Sequence, residues 1–436
     1  MLGVRFDRGA VDGGVEGGEV LIRADARHIP LKDNVVDAIV TDPPYGLKFM
    51  GKEWDHGIPG IDFWLEGLRV CKPGAHLLAF GGTRTFHRLT CAIEDAGWEI
   101  RDCVMWLYGS GFPKSLDVSK AIDKEARAAW LREHADELRE FFPSNSFWDW
   151  TDGGHSPSDT WWKRIKELAG GGHLDRQIIA LLEKSPGWFT SRPQYEETIS
   201  RTDAAKEWQG WGTALKPAWE PIIMARKPIE GTVAQNVQKW GTGAINVDEC
   251  RIGTEEVFTT AHKTLGDGII FGKSKPFPAS DLRTGRWPAN VIHDGSDEVV
   301  GIFPSETRSG HIPRSAKTKA FFGNAPCLTA DMPNNAYGDS GSAARFFYTA
   351  KASSSERGKG NNHPTVKPIA LMEYLIKLVT RPGSIILDPF CGSGSTAIAA
   401  QNLGRTCIAL DLNYQDLAAE RIGGSLFKGV VNSAWA

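Results

Sequence analysis

The chain has 436 residues, 41% of them hydrophobic and 24% charged, with a formal net charge of −3. That length accommodates about two or three domains, or one large α/β domain carrying insertions, and the composition is that of an ordinary globular protein. The charge excludes a uniformly basic nucleic-acid coat, no apolar run is long enough for a membrane span, and the start lacks a signal-peptide core. The seven cysteines contain no C-x-x-C pair, so they read as reduced thiols in a cytoplasmic protein with no structural zinc.

Residues 1–18 read as a loose Gly-rich leader. An apolar strand over 19–24 ends at Asp25, and a second over 35–40 runs into Asp42-Pro43-Pro44-Tyr45. The stretch 46–60 is polar and Gly-punctuated, either a lid or a plain surface loop. A helix over 61–72, a strand over 76–80, a helix over 83–97 and a strand over 98–107 then repeat the βα pattern of a doubly wound parallel sheet.

Gly109-Ser110-Gly111-Phe112-Pro113 breaks the repeat. Helices are predicted over 117–141, 158–169 and 174–184, with Trp148, Trp150, Trp161, Trp162, Trp188, Trp208 and Trp211 scattered through a Trp-rich insertion. Residues 215–225 restore an apolar strand. The segment 229–345 is irregular, and inside it Arg308, Arg314, Lys317 and Lys319 form a local basic run suited to phosphate contacts. A strand over 345–350, a polar linker over 351–362 and a helix over 369–380 follow. The strand 385–387 leads into Asp388-Pro389-Phe390-Cys391-Gly392-Ser393-Gly394-Ser395, then a helix (396–403) and a strand (406–410) ending at Asp411.

Two of these stretches carry chemistry. The Asp42 loop places a carboxylate, a proline-flanked carbonyl and an aromatic ring at the carboxyl end of a strand, where open α/β sheets bind ligands. If carboxylate and carbonyl accept the two N–H bonds of an exocyclic amino group, its nitrogen can pyramidalise and aim its lone pair at an electrophile. Tyr45 would stack on the base. The plain alternative is a Pro-Pro turn ending a strand. The second stretch is a strand, glycine turn, helix, strand and acid, a nucleotide-type unit that has neither the dinucleotide fingerprint nor a P-loop.

Asp388–Ser395 resembles the S-adenosylmethionine loop of amino-group DNA methyltransferases, and Asp42-Pro43-Pro44-Tyr45 resembles their catalytic loop. The catalytic loop comes first and the cofactor loop last, as in the circularly permuted β-class. His363-Pro364-Thr365-Val366-Lys367-Pro368 is similar to the element preceding the β-class cofactor strand, and 41–55 with 215–228 resembles solitary prophage enzymes. The resemblance implies a doubly wound, mostly parallel, seven-stranded α/β sheet with a helical insertion and an irregular target-recognition region. Its expected parts are a catalytic half (19–111), the insertion (112–213), a core strand (214–228), the recognition region (229–344) and a cofactor half (345–425).

The resemblance also implies site roles. Asp42, Pro43, Pro44 and Tyr45 would hold the target base. Asp388, Pro389, Phe390, Gly392, Ser393 and Gly394 would shape the S-adenosylmethionine pocket, and Asp411 with Asn413 would lie at the ribose. Asp25 would meet the cofactor's adenine, and Thr365 and Lys367 its carboxylate side. The expected substrate is double-stranded DNA, methylated on adenine N6 after base flipping by a cytoplasmic bacterial or phage enzyme, with a homodimer implied and no metal. Adenine is preferred because the catalytic loop starts with Asp, where N4-cytosine members more often carry Ser. The alternatives are N4-cytosine methylation, an RNA substrate, or a DNA-binding protein with an inactive core. Cytosine C5 chemistry is set aside, since the one Pro-Cys pair, Pro326-Cys327, lies in the variable region.

Overall fold

The computed structural model describes residues 19–47, 57–111, 115–133, 202–258, 282–308, 340–350, 366–412, 415–422 and 431–432. The leader, the centre of the 46–60 loop, the linker at 351–362 and the helices expected at 158–169 and 174–184 lie outside the described residues. In chain order the strands are β1 (Glu19–Arg23), β2 (Val36–Thr41), β3 (Cys71–Phe80), β4 (Glu99–Leu107), β5 (Trp219–Arg226), β6 (Ile252–Phe258) and β7 (Leu282–Arg286). They continue with β8 (Val291–His293), β9 (Thr307–Arg308), β10 (Ser340–Gly341), β11 (Tyr348–Thr349), β12 (Ile385–Asp388), β13 (Thr406–Leu410) and β14 (Val431–Asn432). The helices are α1 (Ile61–Val70), α2 (Phe86–Asp95), α3 (Val118–Glu133), α4 (Asp203–Glu207), α5 (Val233–Trp240), α6 (Asp297–Val300), α7 (Ile369–Val379), α8 (Ser395–Asn402) and α9 (Gln415–Ile422).

Among the described residues ten strands make one sheet, in the order β11-β8-β4-β5-β3-β2-β12-β13-β1-β14. Within this sheet every pairing is parallel except those of β5, which runs antiparallel to both β3 and β4; β6 with β7 and β9 with β10 form separate antiparallel pairs. The expected seven strands are therefore ten. β8 and β11 extend one edge and β14 the other, and at two or three residues each they are too short to carry a period-two pattern. Of the strand expected over 345–350, Tyr348–Thr349 are strand (β11), while Arg345 and Phe346 close the 3₁₀ turn Ala343–Phe346. β3 begins at Cys71, directly after α1, because Lys72-Pro73-Gly74 continues as strand and does not form a connecting turn.

The central strands are apolar on both faces because helices cover both, the usual reason for a continuous hydrophobic run in a parallel strand. Ala38, Val40, Leu78, Phe80 and Ile386 pack with Leu371 and Leu375 of α7 and Ala397 of α8. The alternate residues Ile39, Leu77, Ala79 and Leu387 pack with Trp64 of α1 and with Leu89 and Ile93 of α2.

The chain divides into two compact units, Met1–Ser110 with Ala218–Ala436, and Gly111–Pro217. In the second, Asp123 accepts hydrogen bonds from the Thr202 amide (3.0 Å) and hydroxyl (2.9 Å), and the Thr202 hydroxyl caps α4. Trp130 is buried, whereas Trp208 and Trp211 are exposed and meet edge-on at 5.2 Å.

Candidate active site

Four neighbouring parallel strands, β1, β13, β12 and β2, each have an aspartate at or just beyond the carboxyl end: Asp25, Asp411, Asp388 and Asp42. The helices that follow β2 and β12 cover opposite faces of the sheet, the arrangement in which open α/β sheets bind ligands between the two strand ends. One hydrogen bond joins the two ends, from Thr41 Oγ1 to Asp388 Oδ1 at 2.6 Å. Asp388 also accepts from Thr396 Oγ1 and from the Phe390 amide, the latter at 3.1 Å. Burial pushes its carboxyl up to about 6, against the lowering effect of those hydrogen bonds.

The glycine loop follows. Gly392 and Gly394 have φ of 49° and 81°, in the left-handed region that glycine enters without strain. A Cβ at Gly394 would meet Ile422 Cδ1 of α9 at 3.1 Å, so the loop is also pressed against its neighbour. The Gly392 amide donates to Asp411 Oδ2 at 3.0 Å. Phe390 lies with its ring 5.6 Å from Phe63 and 6.2 Å from Trp64. Pro389 is buried and Ser393, also buried, receives a hydrogen bond from Arg421. Cys391 is buried, which drives its thiol well above the ordinary range and leaves it unsuited to nucleophilic work. Asp25 accepts the Arg27 guanidinium in a forked pair (2.6 and 3.1 Å), and that hydrogen bonding lowers its carboxyl. The same guanidinium stands 5.6 Å from the Phe63 ring centroid.

Around Asp42 the side chains form a connected polar group. Asp42 Oδ1 accepts from the Tyr45 hydroxyl at 2.8 Å and Oδ2 from Lys367 Nζ at 2.7 Å. Lys367 also donates to the Tyr45 oxygen at 3.1 Å and pairs with Glu220 at 3.2 Å. Burial by itself would depress the Lys367 ammonium, but the two carboxylates outweigh it and hold it above its ordinary value. Burial, then the charges of Asp42 and Glu220, keep the Tyr45 phenol protonated. The Tyr45 backbone carbonyl accepts from Thr85 Oγ1 at 2.7 Å, and its ring lies over Gly82, where a Cβ would come within 3.2 Å. The ring is thus fixed by its hydroxyl, its backbone and a glycine beneath it.

The structure brings Asp42, Pro43, Pro44 and Tyr45 beside Asp388–Gly394, with Asp411 and Asp25 on the next two strand ends. Lys367 makes contacts that its expected role did not include. Its ammonium lies on Asp42, Tyr45 and Glu220 at the catalytic loop, because those acids surround it. Glu220 itself escaped the sequence reading, although an acid between Trp219 and Pro221 at the head of an apolar strand was a signal. Thr365, Asn413, Arg314, Lys317 and Lys319 lie outside the described residues, and Arg308 is placed only as backbone of β9. Among the described residues no group of His, Cys, Asp or Glu is arranged to hold a metal, and no helix is long and apolar enough to cross a membrane.

The sequence model of the DNA methylase family, covering N6 and N4 methylation, matches residues 36–420. The chain belongs to this family. Over 62 residues it is 45% identical to the type II methyltransferase M2.DpnII of Streptococcus pneumoniae, covering 14% of this chain and 23% of that protein. Over 79 residues it is 38% identical to YubD of Escherichia coli strain K12, covering 17% of this chain and 35% of YubD. The chain thus spans only about a quarter to a third of these curated relatives in the matched segments. Among solved structures it is similar to the M1.HpyAVI–SAM complex (15% identity, TM-score 0.35, covering 93% of this chain and 99% of that one). It is also similar to the cytosine-N4-specific PvuII DNA methyltransferase (12% identity, TM-score 0.37, covering 93% and 86%).

The methyl donor of this methylase family is S-adenosylmethionine, and the residues present fit it. Two left-handed glycines leave the turn without side chains, an aromatic ring flanks it, and acids at the next strand ends suit ribose hydroxyls and an adenine amino group. Phe390, Gly392, Gly394, Asp411 and Asp25 would hold it there.

Proposed function

We propose that this amino-group methylase modifies the N6 nitrogen of adenine in duplex DNA, with the base flipped into the crevice between β2 and β12. The observation that carries this reading is the placement of Asp42 and Asp388 on adjoining strand ends, joined through Thr41. Bound S-adenosylmethionine supplies the methyl group and the sulfur that keeps the departing bond's electron pair. The protein's part is to make a poor nucleophile competent. Asp42 retains lone pairs beyond the two used by Tyr45 and Lys367, since an ionised carboxylate offers about four acceptor positions. An amino group donating to Asp42 and to a loop carbonyl pyramidalises, and its lone pair turns toward the methyl carbon. The nitrogen attacks directly, so no covalent bond between protein and base is needed.

Adenine is favoured by the aspartate that opens the catalytic loop. The test is nucleoside mass spectrometry on DNA from a methylation-free host expressing the protein, with Asp42→Ala as control. N6-methyladenine with the wild type and at least about a thousandfold less with the variant is expected, by analogy with other losses of transition-state stabilisation. N4-methylcytosine would overturn the choice of base. Unmodified DNA from folded protein that binds S-adenosylmethionine would overturn the DNA reaction.

A further inference from the structure

Glu220 occupies the second position of β5, whose other charged residue is Arg226 at the far end, and its side chain is only 19% exposed. Its Oε2 lies 3.1 Å from the Tyr45 hydroxyl and 3.2 Å from Lys367 Nζ, and it also hydrogen-bonds Tyr108. A second carboxylate is not needed merely to neutralise Lys367, because Asp42 already does so at 2.7 Å. Two carboxylates around one ammonium leave this group with one surplus negative charge. Lys367 is itself only 6% exposed, so water screens that charge poorly.

The proposed reaction creates positive charge at that point. The amino nitrogen's lone pair forms the N–C bond while the S–C bond breaks with its pair kept by sulfur. Positive charge thereby passes from sulfur to nitrogen, and the nitrogen then releases one proton to the Asp42 carboxylate. We propose that Glu220 is a positioning residue for this transfer: by sharing Lys367 with Asp42, it keeps Asp42 a strong acceptor and leaves the pocket anionic as the nitrogen becomes cationic. The inference rests on the methylation reading above. Without Glu220, Lys367 would belong to Asp42 alone, and the pocket would be electrically neutral toward the developing cation.

The experiment measures steady-state methyl transfer from labelled S-adenosylmethionine to DNA of a methylation-free host, for wild type, Glu220→Gln, Glu220→Asp and the double variant Glu220→Gln with Lys367→Met. Glu220→Gln should lower kcat about ten- to a hundredfold while KM for S-adenosylmethionine stays within about threefold. Glu220→Asp keeps the charge, so it should retain at least about tenfold more activity than the Gln form, or lose less than about tenfold if the Gln form does not fold. The double variant restores the net charge of −1 on Asp42 alone and should recover part of the loss. A wild-type kcat in Glu220→Gln overturns the proposal, as does a loss that removing Lys367 leaves unrelieved, since a purely structural contact would only worsen with a second substitution. No transfer by the wild type would instead bring down the methylation reading, and this inference with it.

Discussion

Asp388 sits behind two threonine hydroxyls at the centre of the sheet's carboxyl edge, 1% exposed, with its carboxyl raised from 3.8 to about 6 chiefly by burial. A folded-state value above the unfolded one means that the protonated form is the better fit to the fold. Its stabilising effect is full below about pH 3.8 and is lost as the pH rises through about 6. Asp388→Asn cannot ionise, so its stability relative to wild type should improve across that window by up to about 3 kcal/mol, two pH units at about 1.4 kcal/mol each. Urea unfolding of both proteins at pH 4, 5, 6 and 7 checks this, and a difference that does not change with pH would refute it. At this scale the sequence was informative wherever an apolar strand stops abruptly at an acid, as before Asp42, Asp388 and Asp411. It was silent on Glu220 and on the contacts of Lys367, because Lys367 meets Asp42 from 325 positions away and Glu220 from 147. No local period records such a pairing.

The element α5 shows how a neglected local signal fixes a larger piece. Thr232 and Gln235 form a reciprocal capping box, and Gly241 closes the helix at φ 75°. The threonine, the glutamine three residues on and the following glycine were all legible in a stretch expected to be irregular. Its buried Asn236 is the reason the helix docks: Nδ2 donates to the carbonyls of Pro73 (2.9 Å) and Thr242 (2.8 Å), while Oδ1 accepts from the Glu230 amide (2.9 Å). Gly74, at φ 80°, passes so close that a Cβ would collide with this amide group. Thus β3 and α5 are held by one polar side chain between them. Asn236→Ala strands these backbone groups and should destabilise the protein by about 2–4 kcal/mol, about 1–3 for each group left without a partner, partly relieved because Thr242 Oγ1 still reaches the Pro73 carbonyl. Chemical denaturation measures it, and a loss below about 1 kcal/mol would show that water takes over the bonds. The short strands β8 and β14 stayed invisible in the sequence for the opposite reason: they are pieces of sheet recruited by neighbours, with no pattern of their own.

Across the whole molecule, the sheet is assembled from distant parts of the chain. Strands β4 and β5 are paired antiparallel from Glu99 with Arg226 to Leu107 with Trp219, yet the Gly111–Pro217 unit lies between them in sequence. The pairing ends with the Tyr108 amide donating to the Ala218 carbonyl at 3.0 Å, so the chain leaves and re-enters the core at neighbouring points. That is the geometry of a hairpin whose turn has been replaced by a compact unit, and closing a long loop costs only slightly more entropy than closing a short one. Replacing Gly111–Pro217 by a short Asn-Gly turn should therefore leave a core that unfolds cooperatively and still binds S-adenosylmethionine within about threefold of the full chain, since every proposed cofactor contact lies in the other unit. Calorimetric titration and denaturation of the shortened protein test both points. Cooperative folding with cofactor binding but without DNA methylation would assign the removed unit to the nucleic acid. Loss of the cooperative transition would show instead that β5 depends on that unit to enter the sheet in its antiparallel place.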